Sequence, residues 1–172
     1  GYASLIGLAY AFKWVWSPLL DQWRLPLLGK LGRRRSWLVL AQALVILGLV
    51  GMSFCDPQKH LSWLIAIAVV VAFASATQDI AVDAYRLEIA EDQRQAALAA
   101  SYMAGYRVAA LLATAGALYF AEGFGSTGFA YLHQAWANTY LLFGLLMVPA
   151  LITTLVMREP PVALRTQLSA AR

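Results

Sequence analysis

The sequence predicts an all-α membrane protein with five transmembrane helices, and three observations carry that prediction. Hydrophobic residues make up 61% of the 172 residues, charged residues make up 13%, and the mean hydropathy is +0.63. A soluble domain is about half apolar and roughly a quarter charged, so this chain has too few polar groups to cover a water-facing surface. Five apolar stretches approach the length of about 20 residues that a helix needs to cross a bilayer. Those stretches mostly lack the polar faces, recurring every 3.6 residues, that a helix on a soluble core would show.

The first stretch runs from about Tyr2 to Leu20, with Pro18 and Pro26 flanking its end. The second covers about Trp37 to Phe54 and is followed by Pro57 in a short turn. The third covers Leu61 to about Tyr85. The fourth, about Ala96 to Ala121, carries small residues four apart at Ala97, Ser101, Gly105, Ala109, Ala113 and Ala117. Ala3, Gly7 and Ala11 repeat the pattern on the first stretch, and such faces let helix backbones approach closely. The fifth runs from about Trp136 to Met157, with Pro149 expected to kink it and Pro160–Pro161 to stop it. Trp37, Trp63, Trp136 and Tyr140 fall near helix ends, as an aromatic belt requires.

Charge orients these spans. Ten of the thirteen Lys and Arg residues lie on one side: Arg24, Lys30, Arg33, Arg34 and Arg35, then Arg86 and Arg94, then Arg158, Arg165 and Arg172. The opposite loops hold only Lys59, so the arginine-rich side is assigned to the cytoplasm, with Gly1 outside and residues 158–172 as a cytoplasmic tail or the start of a linker. The net charge of +4 does not indicate nucleic acid, because the basic residues sit in short loops between apolar runs instead of on one soluble face. Cys55 is alone, which rules out an intrachain disulfide and a paired-cysteine metal or redox site. Gly1 begins inside apolar sequence without an initiator Met, a charged leader or a cleavage pattern, so the chain is expected to start part-way through a gene product.

Charges inside the spans carry the chemistry, since each costs at least about 2.5–3.5 kcal/mol at mid-bilayer and must face a partner or a cavity. Lys13 lies roughly 12 Å inside Asp21, a depth that allows partial snorkelling. Arg107 lies roughly 16 Å into its helix, near the midplane, turned away from the small-residue stripe. It therefore lines a polar cavity or makes a structural ion pair. Ser75, Asp79, Asp83 and Arg86 share one face of the third helix. A carboxylate there is raised in pKa by apolar surroundings and lowered by a nearby arginine, and that balance suits loading and releasing a proton. The alternatives are fixed ion pairs, Asp83 with Arg86 or Asp79 with Arg107. Asp21 can pair with Arg33, Arg34 and Arg35 as a latch that breaks as helices rock, or these residues are plain topogenic charge.

The segment from Ser17–Asp21 to Arg35 resembles the motif between the second and third helices of the major facilitator superfamily. AYAFKWVWSPLLD (9–21), GRRR (32–35), AFASATQDIAVDAY (72–85) and GYR (105–107) resemble the AmpG-type muropeptide permeases of that superfamily. The resemblance implies a fold of two six-helix bundles, with this chain supplying helices two to six of the N-terminal bundle. It implies import of anhydromuropeptides across a bacterial inner membrane for peptidoglycan recycling, driven by the proton gradient and with no cofactor. The chemistry of the matched positions assigns Lys13 and Arg107 to the peptide carboxylates of such a substrate, with Gln42, Gln78 and Tyr106 as further substrate contacts. Asp79 or Asp83 would carry the proton. The partners so implied are substrate, protons, the lipid bilayer and the rest of the same chain.

Three other readings compete. A related acetyl-CoA transporter shares parts of the pattern. An intramembrane aspartyl hydrolase would use Asp79 and Asp83, but such enzymes converge two acids from different helices, and here both lie on one. A non-transporting scaffold would make every deep charge structural.

Overall fold

The computed structural model describes residues 15–16, 20, 32–89, 92–128 and 130–159, and these fold into helices without a strand. Helix α1 is Arg33–Ser53 and α2 is Pro57–Ile89. Helix α3, Asp92–Leu111, continues through a π-helical turn, Leu112–Gly116, into α4, Ala117–Gly123. Helices α5, His133–Leu146, and α6, Val148–Val156, complete the described chain. Four runs among the described residues are long and apolar enough to cross a membrane: Arg33–Ser53, Pro57–Ile89, Gln93–Gly123 and His133–Val156. They correspond to the second to fifth predicted stretches. The first, 2–20, lies outside the described residues except at 15, 16 and 20, where Trp16 stacks on Phe73 of α2 with ring centroids 4.5 Å apart.

Each helical run starts three or four residues before its predicted apolar stretch, because the preceding turn residues also satisfy helical hydrogen bonding. Pro57 opens α2, where its missing N–H has no helical partner to lose. His60, at φ -132 and ψ 45, breaks the helix near its start, and the run from Leu61 to Ile89 still rises about 43 Å, beyond the roughly 30 Å hydrocarbon core, so its last turns stand outside lipid. Arg33, Arg34 and Arg35, read as loop residues, instead form the first turn of α1. The expected kink at Pro149 is a break at Met147: α5 ends at Leu146 and α6 restarts at Val148, with Pro in its opening turn, where the ring cannot continue the ladder. Pro160–Pro161 lie outside the described residues.

Helix α1 is the hub of the described bundle, packing on α2, α5 and α6, while α4 packs on α5. Its buried positions Arg34, Leu38, Ala41, Val45 and Gly48 recur every three or four residues and form one face. The facing stretch of α2 is buried at Ala72, Ala74, Ala76, Thr77 and Ala81. Small side chains let the two backbones close, and Gly48 is the tightest point: a Cβ there would stand 2.2 Å from Val71 Cγ2. Val is held to one rotamer in a helix, so Val71 cannot turn away. Gly48→Ala is therefore expected to destabilise the bundle by about 2 kcal/mol through overpacking, measured by denaturant titration in micelles. Gly51→Ala, whose Cβ would meet Ile67 at an ordinary 3.5 Å, is expected to be close to neutral in the same titration.

Close packing by small residues thus operates on α1 against α2. The stripe predicted for the fourth span is exposed on α3, and a Cβ on Gly105 would meet nothing within 4 Å. None of the described side chains of α3 is buried. Hydroxyls in the bundle are mostly satisfied within their own helices. Thr77 donates to the Phe73 carbonyl at 2.8 Å, Thr139 to Ala135 at 2.9 Å and Thr154 to Ala150 at 3.0 Å. Such bonds remove the cost of a bare hydroxyl in an apolar interior and take these residues out of the list of site candidates.

Candidate functional site

Two polar clusters stand out, and both include the end of α2 that carries Asp83, Arg86 and Glu88. The first gathers the ends of three helices. Arg34, 6% exposed, donates from Nε and Nη2 to Glu88 Oε1 at 3.0 and 2.7 Å, and Arg33 Nη2 reaches the same oxygen at 3.2 Å. Glu159, just beyond α6, accepts from the backbone N–H groups of Arg34 and Arg35 at 2.8 and 3.1 Å. Arg35 bonds back to the carbonyls of Thr154 and Leu155, and the Tyr85 hydroxyl donates to the Arg158 carbonyl at 2.8 Å.

A helix that starts with three arginines sets positive charge against the positive end of its own dipole. The Glu159 carboxylate offsets this by capping free N–H groups from another helix, which no side chain of α1 itself does. Gly32 makes the cap possible. It sits at φ 98, ψ 170, and a Cβ there would stand 2.4 Å from Glu159 Cδ.

Sequence reasoning expected Asp21 to hold these arginines. Asp21 lies outside the described residues, and the acids observed to hold them are Glu88 and Glu159. Neither was singled out beforehand. The available signal was their position: both fall at helix ends on the arginine-rich side, where a carboxylate is drawn to surplus positive charge.

The second cluster joins α2 to α3. Half-buried Gln78, Asp79 and Asp83 follow one another along α2. Arg86 Nη2 pairs with Asp83 Oδ1 at 3.5 Å, so the anticipated Asp83–Arg86 contact is present. The Arg86 guanidinium lies over the Tyr102 ring of α3, 5.2 Å from its centroid. Tyr102 is within electrostatic range of Asp79, Asp83 and Tyr106. Tyr106 and Arg107, one turn further along α3, are exposed, and among the described residues Arg107 meets no carboxylate. Gln42 is separate from this group: it is buried on α1, and among the described residues its Oε1 has no hydrogen-bond partner. Lys13 lies outside the described residues. Tyr102 and Arg86 are the members of the cluster that the candidate list lacked. The i, i+4 spacing of Tyr102 and Tyr106 on the Arg107 helix was the signal that could have found Tyr102.

The opposite end of the bundle is aromatic. A cavity of about 290 Å³ is lined by Met52, Cys55, Leu64, Tyr131, Trp136 and Tyr140, and the last two rings lie 6.4 Å apart. Burial first, and the Asp56 carboxylate second, push the Tyr131 phenol above its ordinary value. Among the described residues no group of His, Cys, Asp and Glu is arranged to hold a metal ion.

The sequence pattern of the Major Facilitator Superfamily matches residues 3–171. The chain belongs to this superfamily. Over 160 residues it is 38% identical to the anhydromuropeptide permease of Escherichia coli strain K12, covering 93% of this chain and 30% of the permease. A Rickettsia felis protein named as an AmpG transporter is 35% identical over 152 residues, covering 88% of this chain and 35% of that protein. An uncharacterized Haemophilus influenzae protein is 34% identical over 161 residues. The chain thus spans about a third of the length of the curated relatives it matches. No solved structure matches it. Superfamily membership and the four apolar runs make the chain part of a multi-pass membrane protein.

Proposed function

We propose that this chain contributes five helices of the N-terminal bundle to a proton-coupled secondary transporter that imports anhydromuropeptides across a bacterial inner membrane. The observation that carries the reading is the α2 face bearing Asp79 and Asp83, set beside the α3 helix that presents Tyr102, Tyr106 and Arg107. Acids that can take up a proton then lie on the helix beside the one that carries a cation able to hold a substrate carboxylate, so the state of one can alter the affinity of the other. The name of the Escherichia coli relative supports the substrate class. The arginine-rich ends of α1 and α2 face the cytoplasm in this reading, and Lys13 joins Arg107 on the substrate.

The test uses a full-length carrier containing this chain in energised membrane vesicles, with labelled anhydromuropeptide. Uptake is expected to collapse when a protonophore dissipates the gradient. Asp79→Asn is expected to lower accumulation at least about tenfold, and Arg107→Gln to raise the substrate KM by a similar factor. Accumulation that survives both the protonophore and the double substitution would remove proton coupling and both residues from the mechanism. Uptake of acetyl-CoA in place of muropeptide would reassign the substrate.

A further inference from the structure

We infer that Arg86 and Tyr102 form a coupling joint in which the Asp83–Arg86 pair opens during transport and the Tyr102 ring passes the change to α3. The inference rests on the proposed reading of the α2 acids as proton carriers, and it assigns positioning roles to two residues outside the candidate list.

Two arginines at the same end of the bundle are held very differently. Arg34 grips Glu88 through Nε and Nη2 at 3.0 and 2.7 Å, within or close to the usual span of a charge-assisted bond. Arg86 reaches Asp83 through one nitrogen at 3.5 Å, and its buried Nε has no partner among the described residues. The first arrangement is a fixed clamp. The second leaves an unmet donor in a poorly solvated place, which makes it the weaker of the two and the one that reorganises when a neighbouring charge changes.

The fold makes that reorganisation consequential. Among the described helices α3 makes no close packing with α1, α2, α5 or α6, and none of its described side chains is buried. The guanidinium of Arg86 over the Tyr102 ring is therefore a principal side-chain tie between α2 and α3. A hydrogen bond at the 3.5 Å limit from Gln95 to the Leu87 carbonyl also joins the two helices. The titratable and charged groups around the joint are Asp79 and Asp83 on α2 and Tyr102 and Tyr106 on α3, with Glu88 beyond them already taken by Arg33 and Arg34 of α1.

With Asp83 ionised, the guanidinium is divided between its carboxylate and the ring. When Asp83 takes up a proton, the attraction to the carboxylate is lost. The guanidinium then keeps only the ring and the unmet Nε, and α3, which bears Arg107, is free to shift against α2. Release of the proton restores the pair.

The first arm reads geometry without transport. Spin labels are placed at the exposed positions Leu87 and Met103 by Leu87→Cys and Met103→Cys in a Cys55→Ser background of the full-length carrier. Asp83→Asn, which mimics the protonated acid, is expected to shift or broaden the label distance. Arg86→Gln and Tyr102→Leu are expected to do the same, whereas Tyr102→Phe, which keeps the ring, leaves the distance as in the parent. An unchanged distance in Asp83→Asn and Arg86→Gln overturns the joint, as does a Tyr102→Phe that moves it as far as Tyr102→Leu.

The second arm compares gradient-driven accumulation with substrate exchange in de-energised vesicles. Arg86→Gln is expected to lower accumulation about tenfold while exchange falls far less. Equal loss of both in a folded carrier reduces Arg86 to a structural part and overturns the inference. A parent carrier that fails to transport anhydromuropeptide overturns the proposed function, and the spin-label arm still decides the joint.

Discussion

Glu88→Gln is expected to destabilise the bundle by about 3 kcal/mol, the largest effect of any single polar substitution in the described residues. One carboxylate oxygen of Glu88 accepts from Arg34 twice and from Arg33 once. The Arg34 side chain is only 7% exposed and cannot turn into water when its partner loses charge. The cost is that of taking the charge from a carboxylate that a buried guanidinium bonds twice, which exceeds what the pair itself contributes. The value is set at the low end of the range for buried pairs because Glu88 retains 20% exposure. Denaturant titration in micelles measures it, and a double-substitution cycle with Arg34→Met checks the cause. Once the cation is gone, Glu88→Gln should cost well under about 1 kcal/mol more. Additive losses in that cycle would show that Glu88 acts through something other than Arg34.

Gly32→Ala is expected to be nearly as damaging, for a different reason. At φ 98 and ψ 170 the residue occupies a region open essentially to glycine alone, so any Cβ costs about 1–3 kcal/mol in backbone strain. The same Cβ would stand 2.4 Å from Glu159 Cδ and 2.6 Å from its Oε2, displacing the carboxylate that caps α1. Loss of the cap adds about 1 kcal/mol, for a total of about 3. The two parts can be separated by the same titration. Glu159→Ala alone removes the cap, and Gly32→Ala combined with it removes the clash but keeps the strain. The combined variant should therefore lie no more than about 2 kcal/mol below Glu159→Ala. A Gly32→Ala protein as stable as the parent would rule out both the backbone requirement and the tertiary cap.

These two sites mark where the sequence stops being legible. Leu, Ile, Val and Ala runs of spanning length locate α1, α2, α3 with α4, and α5 with α6, because bilayer thickness imposes a length that composition alone reveals. Helix ends were less legible. Arg33–Arg35 read as loop, since three cations are poor residues for a helix start, and only a carboxylate from Glu159, more than a hundred residues away, makes that start favourable. The break at Met147 was readable from Pro149, because proline acts on its own helix.

Within the candidate site, the contact readable from sequence was the local one. Asp83 and Arg86 are three residues apart on one helix, so helical geometry brings them together whatever the bundle does. The spacing of Tyr102 with Tyr106 hints at a shared face, but its contact with Arg86 was not readable, because that depends on where α3 lies beside α2. Gln42 shows the converse. Its residue type suits a ligand, but α1 packs on α2, α5 and α6 and Gln42 is buried there.

By itself the sequence determined the solvent, the helical class, the alternation of the spans and the superfamily. Each of these follows from composition, run length, loop charge or local motif, which are properties of short stretches of chain. Tertiary structure alone decided that Glu88 and Glu159 hold the arginines at the start of α1, and that Arg86 is shared between Asp83 and Tyr102. The physical reason is range. A charge in an apolar bundle must find a counter-charge or ring wherever packing places one, and packing joins residues that sequence separation leaves unrelated.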